Sequence, residues 1–181
     1  MADKKTIDQR VADYDQIKHE ASDLYNTFVS VDCAALGQKV DFTSEGFNLL
    51  VYSAPKKMRD KRAQILRFDM LSKAKFILET STTFQEYEEE IINKRVNRNG
   101  HWVPKSVLVC RWGFVAIIQK FRVKVVVTKE SNGAVKFLSV APAWLTKWYR
   151  NIKIIETSVG KGLNNSDDEE VLKNATISDA F

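Results

Sequence analysis

Residues 113–144, GFVAIIQKFRVKVVVTKESNGAVKFLSVAPAW, contain the stretch that decides the fold. Within it, residues 121–128 alternate with a period of two and are rich in β-branched side chains. This pattern predicts a strand that has one face in the core and the other face outside it. Asn132 and Gly133 tolerate the positive φ angles of a type I′ turn, so residues 135–140 are predicted to return as the second strand of a hairpin.

Counting outward from a two-residue turn predicts the register of this hairpin. On the apolar face, Val127 should lie opposite Leu138, and Val125 should lie opposite Val140. The other face should carry Thr128 opposite Phe137 and Val126 opposite Ser139, followed by Lys124 and Arg122. This second face would gather two hydroxyls, two cations and an aromatic ring, which makes it a candidate binding or catalytic surface.

Composition predicts one globular domain with appendages. The chain has 181 residues, of which 44% are hydrophobic and 10% aromatic, enough to build a core. No apolar run approaches the ~20 residues of a membrane span, and the first residues lack the apolar segment of a signal peptide. We therefore expect a cytoplasmic protein with no membrane partner. Two cysteines (Cys33 and Cys110) and two histidines (His19 and His101) do not have the spacing of a metal site, so no metal or other cofactor is predicted.

The net charge of +5 is unevenly distributed and divides the chain into three segments. Residues 1–36, predicted as an acidic helical segment, carry four Lys or Arg against seven Asp or Glu. Residues 157–181, predicted as a flexible acidic tail, carry two against five, which leaves +11 for a basic α+β domain at residues 37–156. Clustered cations release counterions from a polyanion, so nucleic acid is the expected partner. Ordinary solvated lysines are the alternative interpretation.

Periodicity elsewhere predicts the elements that accompany the hairpin. Helices are predicted at residues 6–28, 56–79 and 84–97, and strands at residues 40–42, 46–53, 106–112 and 114–119. The three glutamates at residues 88–90 precede basic residues by four to five positions, which favours an exposed helix over a catalytic acid cluster. The predicted fold class is α+β, with an N-terminal helix or helices packed on one face of a four- to five-stranded antiparallel sheet.

Two further places carry candidate functional residues. The helix predicted at residues 56–79 begins with a cluster of cations, and a helix N-terminus attracts phosphate; a solvated helix start is the alternative. The cations in question are Lys56, Lys57, Arg59 and Arg62. In the loop that follows residue 97, His101 is a candidate base and Trp102 a candidate platform for stacking a nucleobase.

Three stretches carry a resemblance to a known group of enzymes. They are GFNLLVYS (46–53), KKMRDKRAQILRFDMLSKAKFILE (56–79) and RVKVVVTKESNGAVKFLSV (122–140), the last containing Ser139. Over residues 40–142 the chain resembles the barnase–EndoU–colicin–RelE group of small ribonucleases, in particular its phage-encoded, toxin-like branch. The resemblance implies a helix packed on an antiparallel sheet, with RNA lying across the sheet face.

The resemblance also implies roles for individual residues. Arg59 or Arg62 would hold the scissile phosphate, and Arg122 or Lys124 would stabilise the negative charge that develops on it. Ser139 would donate a hydrogen bond to the phosphate. The ribose 2′-OH would attack the adjacent phosphate without a metal ion. Many members carry a histidine on the strand before the helix, where this chain has Asn48; this departure leaves His101 as the only substitute for the general base.

The sequence thus supports three functions. The first is a toxin- or effector-like endoribonuclease, which would need an acidic inhibitor (an immunity or antitoxin protein) as a second partner besides RNA. The second is a single-stranded nucleic-acid-binding protein, with an acidic tail that ends in Phe181 and with Trp102, Trp112 and Trp144 as stacking platforms. The third is a non-enzymatic phage structural or accessory protein.

Overall fold

The computed structural model describes residues 6–54, 57–118 and 121–143. The helices are α1 (Ile7–Ala12), α2 (Tyr14–Phe28), α3 (Ser44–Val51), α4 (Lys61–Phe68) and α5 (Leu71–Thr80). The strands are β1 (Ser30–Cys33), β2 (Gln38–Asp41), β3 (Tyr52–Ala54), β4 (Lys57–Met58), β5 (Glu86–Arg98), β6 (His101–Ile118), β7 (Phe121–Glu130) and β8 (Val135–Pro142). The predicted α+β class is confirmed. The predicted flexible tail at residues 157–181 lies outside the described residues.

The main sheet is larger than predicted and is mixed. Within the described residues it has six strands in the order β1-β2-β8-β7-β6-β5, and a separate ribbon pairs β3 with β4. The pairing of β2 with β8 is parallel, whereas the other pairs are antiparallel. The predicted four- to five-stranded antiparallel sheet is therefore matched only in part: β5–β8 are antiparallel, but β1 and β2 extend the sheet through a parallel pair. No hairpin joins β2 to β8, which are distant in sequence, so nothing in the local pattern fixed their direction.

The helices cover one face of this sheet, which we call the helix-packed face. Val125, Phe114 and Val140 of the sheet are fully buried, together with Leu50 of α3 and Leu71 of α5. Burial of this apolar surface is the main contribution to stability, at roughly 25 cal/mol per Å². The predicted helical stripe at residues 6–28 is confirmed as α1 and α2.

Residues 46–51 belong to helix α3 and not to the predicted strand at 46–53, of which only residues 52 and 53 are extended, in β3. Their apolar run is too short for periodicity alone to separate a strand from a buried helix. The deciding contact is tertiary, since α3 approaches β8 closely at Gly46. A Cβ at this position would lie 2.4 Å from Tyr25 Oη and 2.7 Å from the carbonyl oxygen of Phe137.

The pattern predicts one continuous helix over residues 56–79, but the structure has two shorter helices, α4 and α5, in this region. The Asp60 side chain caps α4 by accepting from the Arg62 amide at 2.9 Å, and the helix breaks after Phe68. Asp69, which lies at the break, accepts from the Arg10 guanidinium of α1 at 2.6 and 2.7 Å. The helix therefore begins four residues after Lys57, which belongs to β4, and Lys56 lies outside the described residues.

Residues 84–97 were predicted as a polar helix, but residues 86–98 form strand β5, which pairs with β6 along its whole length. The acid-before-base spacing is compatible with both structures, because residues two apart also share a face of a strand. Strand β6 continues through Gly113, where two separate strands were predicted. These two long strands define the surface on which the candidate site lies.

Candidate functional site

The second face of strands β5–β8, opposite the helix-packed face, is here called the open face. Its side chains form rows that cross the four strands in register. One row runs Glu88, Arg111, Thr128, Lys136, and the next runs Glu86, Gly113, Val126, Ser139. Lys124 lies beside the second row, opposite Val115 and Ala141. The sheet thus brings Thr128, Lys124 and Ser139 onto one face, together with acidic residues from β5.

The Glu86 carboxylate reaches over β6 to the ammonium group of Lys124. The two groups are 2.5 Å apart, and the Lys124 side chain is 13% exposed against 32% for Glu86. Gly113 makes this contact possible, because a Cβ there would lie 2.5 Å from Glu86 Oε2 and 3.0 Å from Glu86 Cβ. A carboxylate is consequently held against a largely buried cation at the centre of the open face.

Arg111 lies between two shallow depressions of the open face. Its guanidinium donates to Glu90 at 3.0 Å and to Glu88 at 3.3 Å. These carboxylates raise the pKa of Arg111, mainly through the hydrogen bond to Glu90. One depression, of about 510 Å³, includes Glu86 and Lys124; the other, of about 420 Å³, includes Thr128 and Lys136. The two depressions share Arg111, and each is lined by both signs of charge; together they are called the groove.

Arg122 lies at the far end of this face and is only 2% exposed. Burial lowers the pKa of its guanidinium, although an arginine remains protonated in any protein environment. Arg122 can therefore contribute positive potential to the groove, but its own surface is covered.

Phe137 does not lie on the open face, so its predicted role in substrate binding was wrong. The register shifts by one residue between Val126 and Val127, so that Val127 pairs with Phe137 and Thr128 pairs with Lys136. Phe137 turns to the helix-packed face, where it is 1% exposed and stacks on Phe42 with ring centroids 4.8 Å apart. The predicted pairs Val125–Val140 and Val126–Ser139 are confirmed.

A β-bulge explains why the register was wrong near the turn and right beyond it. Lys129 pairs with Val135, so the connection is longer than the two residues assumed, and Ser131 adopts a positive φ of 47°. Leu138 is the extra residue on β8, which restores the original register at Ser139. Because one residue of slip moves a side chain to the other face, the bulge alone decides where Phe137 points.

Of the cations of the predicted helix start, Arg59 and Arg62 lie in the helical layer and do not reach the open face. Arg62 pairs with Asp8 of α1, and Arg59 Nε donates to the carbonyl oxygen of Leu49 at 3.3 Å. The phosphate-binding role inferred for Arg59 and Arg62 was therefore wrong with respect to this site, because the sheet separates them from Ser139. Lys57 precedes the helix in the same layer.

His101 and Trp102 lie at the tip of the β5–β6 hairpin, and both are exposed. His101 is twelve residues along β6 from Gly113, which corresponds to about 40 Å in an extended strand. His101 consequently cannot serve as a base for chemistry at Lys124 or Ser139, contrary to the prediction.

Glu86 and Arg111 are the site residues that sequence reasoning missed. Glu86, Glu88 and Glu90 recur every second residue, a signal of one strand face, but the basic residues further along had favoured a helix. Among the described residues, no three His, Cys, Asp or Glu side chains come together as a bound metal ion requires.

Comparison with models of known protein families, with curated proteins and with solved structures finds no match. The resemblance to small ribonucleases therefore stays a prediction based on sequence pattern. In the part of the chain that the structure describes, no helix has the length and hydropathy needed to cross a membrane.

Proposed function

We propose that the protein is a metal-independent endoribonuclease that acts on its open face. The observation that carries the proposal is the Glu86 carboxylate, held 2.5 Å from Lys124 in a groove that also contains Arg111. Cleavage by the ribose 2′-OH needs a base next to groups that stabilise negative charge on phosphorus. Glu86 supplies a base that the sequence alone did not provide.

In this mechanism Glu86 accepts the proton of the 2′-OH while the 2′ oxygen forms a bond to phosphorus. Lys124 and Arg111 stabilise the additional negative charge on the phosphoryl oxygens, and the Ser139 hydroxyl donates to one of them. The bond from phosphorus to the 5′ oxygen then breaks, and this oxygen takes a proton from water. The products are a 2′,3′-cyclic phosphate and a free 5′-OH.

The mixed charge of the groove is compatible with this chemistry. An RNA phosphate that enters would compete with Glu86 and Glu88 for Lys124 and Arg111, which frees the Glu86 carboxylate to act as a base. Glu88 is 66% exposed, and an ion pair that reaches solvent is worth only about 0–1 kcal/mol. Exchange of Glu88 for a phosphate at Arg111 therefore costs little. Lys124 is 13% exposed, so a phosphate there would have to replace the Glu86 carboxylate as its partner.

The test is an RNA digest in excess chelator, in which the full chain is compared with Glu86→Gln. We expect the variant to cut about 10²- to 10⁴-fold more slowly, which is the usual contribution of a general base. Glu79→Gln is the matched control, because Glu79 is a glutamate that pairs with Lys75 in the helical layer, away from the groove. Products are read on a denaturing gel and by the presence of cyclic phosphate ends.

A Glu86→Gln variant that cuts at the wild-type rate would exclude Glu86 as the base. RNA that stays intact with stoichiometric wild-type protein would exclude the ribonuclease. RNA that stays intact but shifts on a native gel would favour the second candidate function, single-stranded nucleic-acid binding without cleavage. The long basic hairpin described next is the observation that favours this second candidate.

A further inference from the structure

The outer part of the β5–β6 hairpin extends beyond the rest of the sheet and is called the arm (residues 91–108). Strand β7 joins β6 at Val109, which pairs with Glu130. Within the described residues, the strand segments at 91–98 and 101–108 pair with each other, and outside this ladder the Leu108 carbonyl oxygen accepts from the Ser131 amide at 2.7 Å at the base of the arm. A two-stranded ribbon of this kind is marginally stable in water by itself, so its length requires another explanation.

The arm exposes large apolar side chains to solvent. Ile91 is 71% exposed, Trp102 66% and Leu108 41%. Trp102, Ile91 and Leu108 lie on the same face of the ribbon, since Ile91 pairs with Leu108, Asn97 pairs with Trp102 and side chains alternate along each strand. By the same alternation this face is opposite the one that carries Glu86, whereas Lys105, which pairs with Lys94, lies on the Glu86 side. Exposed aromatic surface at the end of a projecting ribbon is the property of a contact element, not of a folding core.

The charge of the arm identifies the chemistry of its partner. Residues 91–108 contain four Lys or Arg and not one Asp or Glu, whereas three glutamates precede them at residues 88–90. Lys94 binds Glu130 at the base of the arm. Further out, Arg95 and Lys105 are exposed. Cations without acidic neighbours, interleaved with an exposed aromatic ring, match the requirements of a single-stranded polyanion that has stacking bases.

We propose that the arm binds the part of a single-stranded RNA that flanks the nucleotides in the groove. This inference rests on the proposed ribonuclease function. Trp102 stacks on a base, while Arg95 and Lys105 contact phosphates. Residues 86 and 98 are twelve positions apart on one strand, so the arm tip lies about 40 Å from Glu86. A dinucleotide cannot span this distance, whereas a longer RNA can contact both places.

The difference in reach separates this inference from the proposed function. Cleavage of a dinucleoside monophosphate reports only on the groove. Binding of an unstructured RNA of about 20 nucleotides, longer than the 4–16 nucleotides that typical single-strand sites cover, reports on the groove and the arm together. Binding is measured by fluorescence anisotropy in the Glu86→Gln background, so that the RNA stays intact.

Two arm variants test the contacts. Trp102→Ala should weaken binding of the long RNA by about 5- to 100-fold, as expected for the loss of one stacked base, and Trp102→Phe should restore most of it. Arg95→Ala with Lys105→Ala should reduce the slope of log affinity against log salt by about 1.4, or 0.7 for each lost phosphate contact. The control is Lys18→Ala with Lys39→Ala, which removes the same charge from α2 and β2.

The inference is supported if the arm variants lose affinity for the long RNA and the control variant does not. In addition, arm variants that retain Glu86 should cut the dinucleotide at the wild-type rate. It is overturned if Trp102→Ala and the double arm variant bind the long RNA as the wild type does, a result that would leave the arm as a docking element for another protein. A wild type that binds long RNA through the arm but cuts neither substrate overturns the ribonuclease alone. A wild type that neither cuts nor binds overturns both proposals.

Discussion

The two faces of strand β7 have opposite surroundings. Val123, Val125 and Val127 point to the helix-packed face, and all three are 0% exposed. Lys124, Val126 and Thr128 alternate with them and stay partly exposed on the open face. One strand therefore supplies residues to the core on one face and to the candidate site on the other face.

Different interactions hold the two faces. On the helix-packed face, Tyr25 contacts the rings of Phe42, Phe47 and Phe137 edge-on, in addition to the burial of aliphatic side chains. On the open face, ion pairs cross from strand to strand, and the pairs of Arg111 with Glu88 and Glu90, whose carboxylates are more than half exposed, contribute little to stability. The comparison teaches that these exposed ion pairs can be exchanged for a ligand without loss of the fold.

The largest expected effect is on Phe137, the residue that the bulge moves from one face to the other. Phe137→Ala should lower the free energy of unfolding by about 3–5 kcal/mol, because it leaves a cavity among packed rings. Phe137→Leu keeps most of the volume and should cost less. Urea unfolding followed by circular dichroism measures both variants; an alanine variant as stable as the wild type would show that Phe137 lies on the open face after all.

The next largest expected effect is on stability when Gly46 or Gly113 is replaced by alanine. Gly46→Ala forces a Cβ to within 2.7 Å of the Phe137 carbonyl oxygen, so we expect a loss of about 1–3 kcal/mol from overpacking. Gly113→Ala meets the Glu86 carboxylate at 2.5 Å and Glu86 Cβ at 3.0 Å. The carboxylate can rotate away and Cβ must shift by a few tenths of an ångström, so we expect a smaller loss of stability than for Gly46→Ala, about 1 kcal/mol. The displaced carboxylate should instead slow RNA cleavage.

Both glycine variants are unfolded in urea and then assayed for cleavage in chelator. The comparison of the two faces is contradicted if Gly113→Ala is the less stable variant, or if it retains full cleavage activity while the Glu86→Gln variant does not.

Alkaline pH should destabilise the helix-packed face specifically. Burial raises the pKa of the Tyr25 hydroxyl, which donates to the Thr43 carbonyl oxygen at 2.9 Å, and burial likewise raises the pKa of Tyr14. A raised pKa in the folded state contributes stability that is present below the unfolded value of about 10 and is lost as pH rises above it. The limiting slope is about 1.4 kcal/mol per pH unit for each tyrosine.

The Tyr25→Phe variant provides the control for this pH dependence. Its unfolding free energy should fall less steeply between about pH 10 and pH 11 than that of the wild type. Equal slopes for the two proteins would mean that Tyr25 ionises as readily in the folded chain as in the unfolded one.

The smallest expected effect is the loss of an open-face cation. Arg111→Ala removes contacts to Glu88 and Glu90 and should lower stability by less than about 1 kcal/mol. Because the carboxylates are more than half exposed, 1 M salt should reduce this difference further. Chemical denaturation by urea at two salt concentrations measures it, and a loss as large as that of Gly46→Ala would mean that the open face is part of the stabilising structure.

Sequence patterns were reliable where one periodicity dominated a segment. The alternation at residues 121–128 predicted β7 and its two faces, and the stripe at residues 6–28 predicted α1 and α2. The patterns failed where local signals fit two structures, at residues 46–53 and 84–97. At residues 46–53 the outcome depended on a contact with a distant segment, that of Gly46 with Tyr25. At residues 84–97 it depended on the hairpin turn at Asn99 and Gly100, both with positive φ, which pairs β5 with β6.

The sequence predicted only part of the candidate site, because residues 84–97 were predicted as a helix. Lys124, Thr128 and Ser139 followed from the hairpin count, but Glu86 and Arg111 could be assigned to the open face only when β5 was recognised as a strand. Arg59 and Arg62 looked like partners of Ser139 because they are cationic, while the sheet lies between them and the open face.

By itself the sequence determined the α+β class, which residues of β7 face the core, and the positive charge of the arm, which contains no Asp or Glu. These properties depend on side chains that are close together in the chain. The tertiary structure alone decided the parallel pairing of β2 with β8 and the burial of Phe137 through a bulge. It also decided the contact between Glu86 and Lys124. The β2–β8 pairing, the Glu86–Lys124 contact and the packing of Phe137 on Phe42 join residues far apart in the chain, where loop closure and packing against distant elements, and not local periodicity, set the geometry.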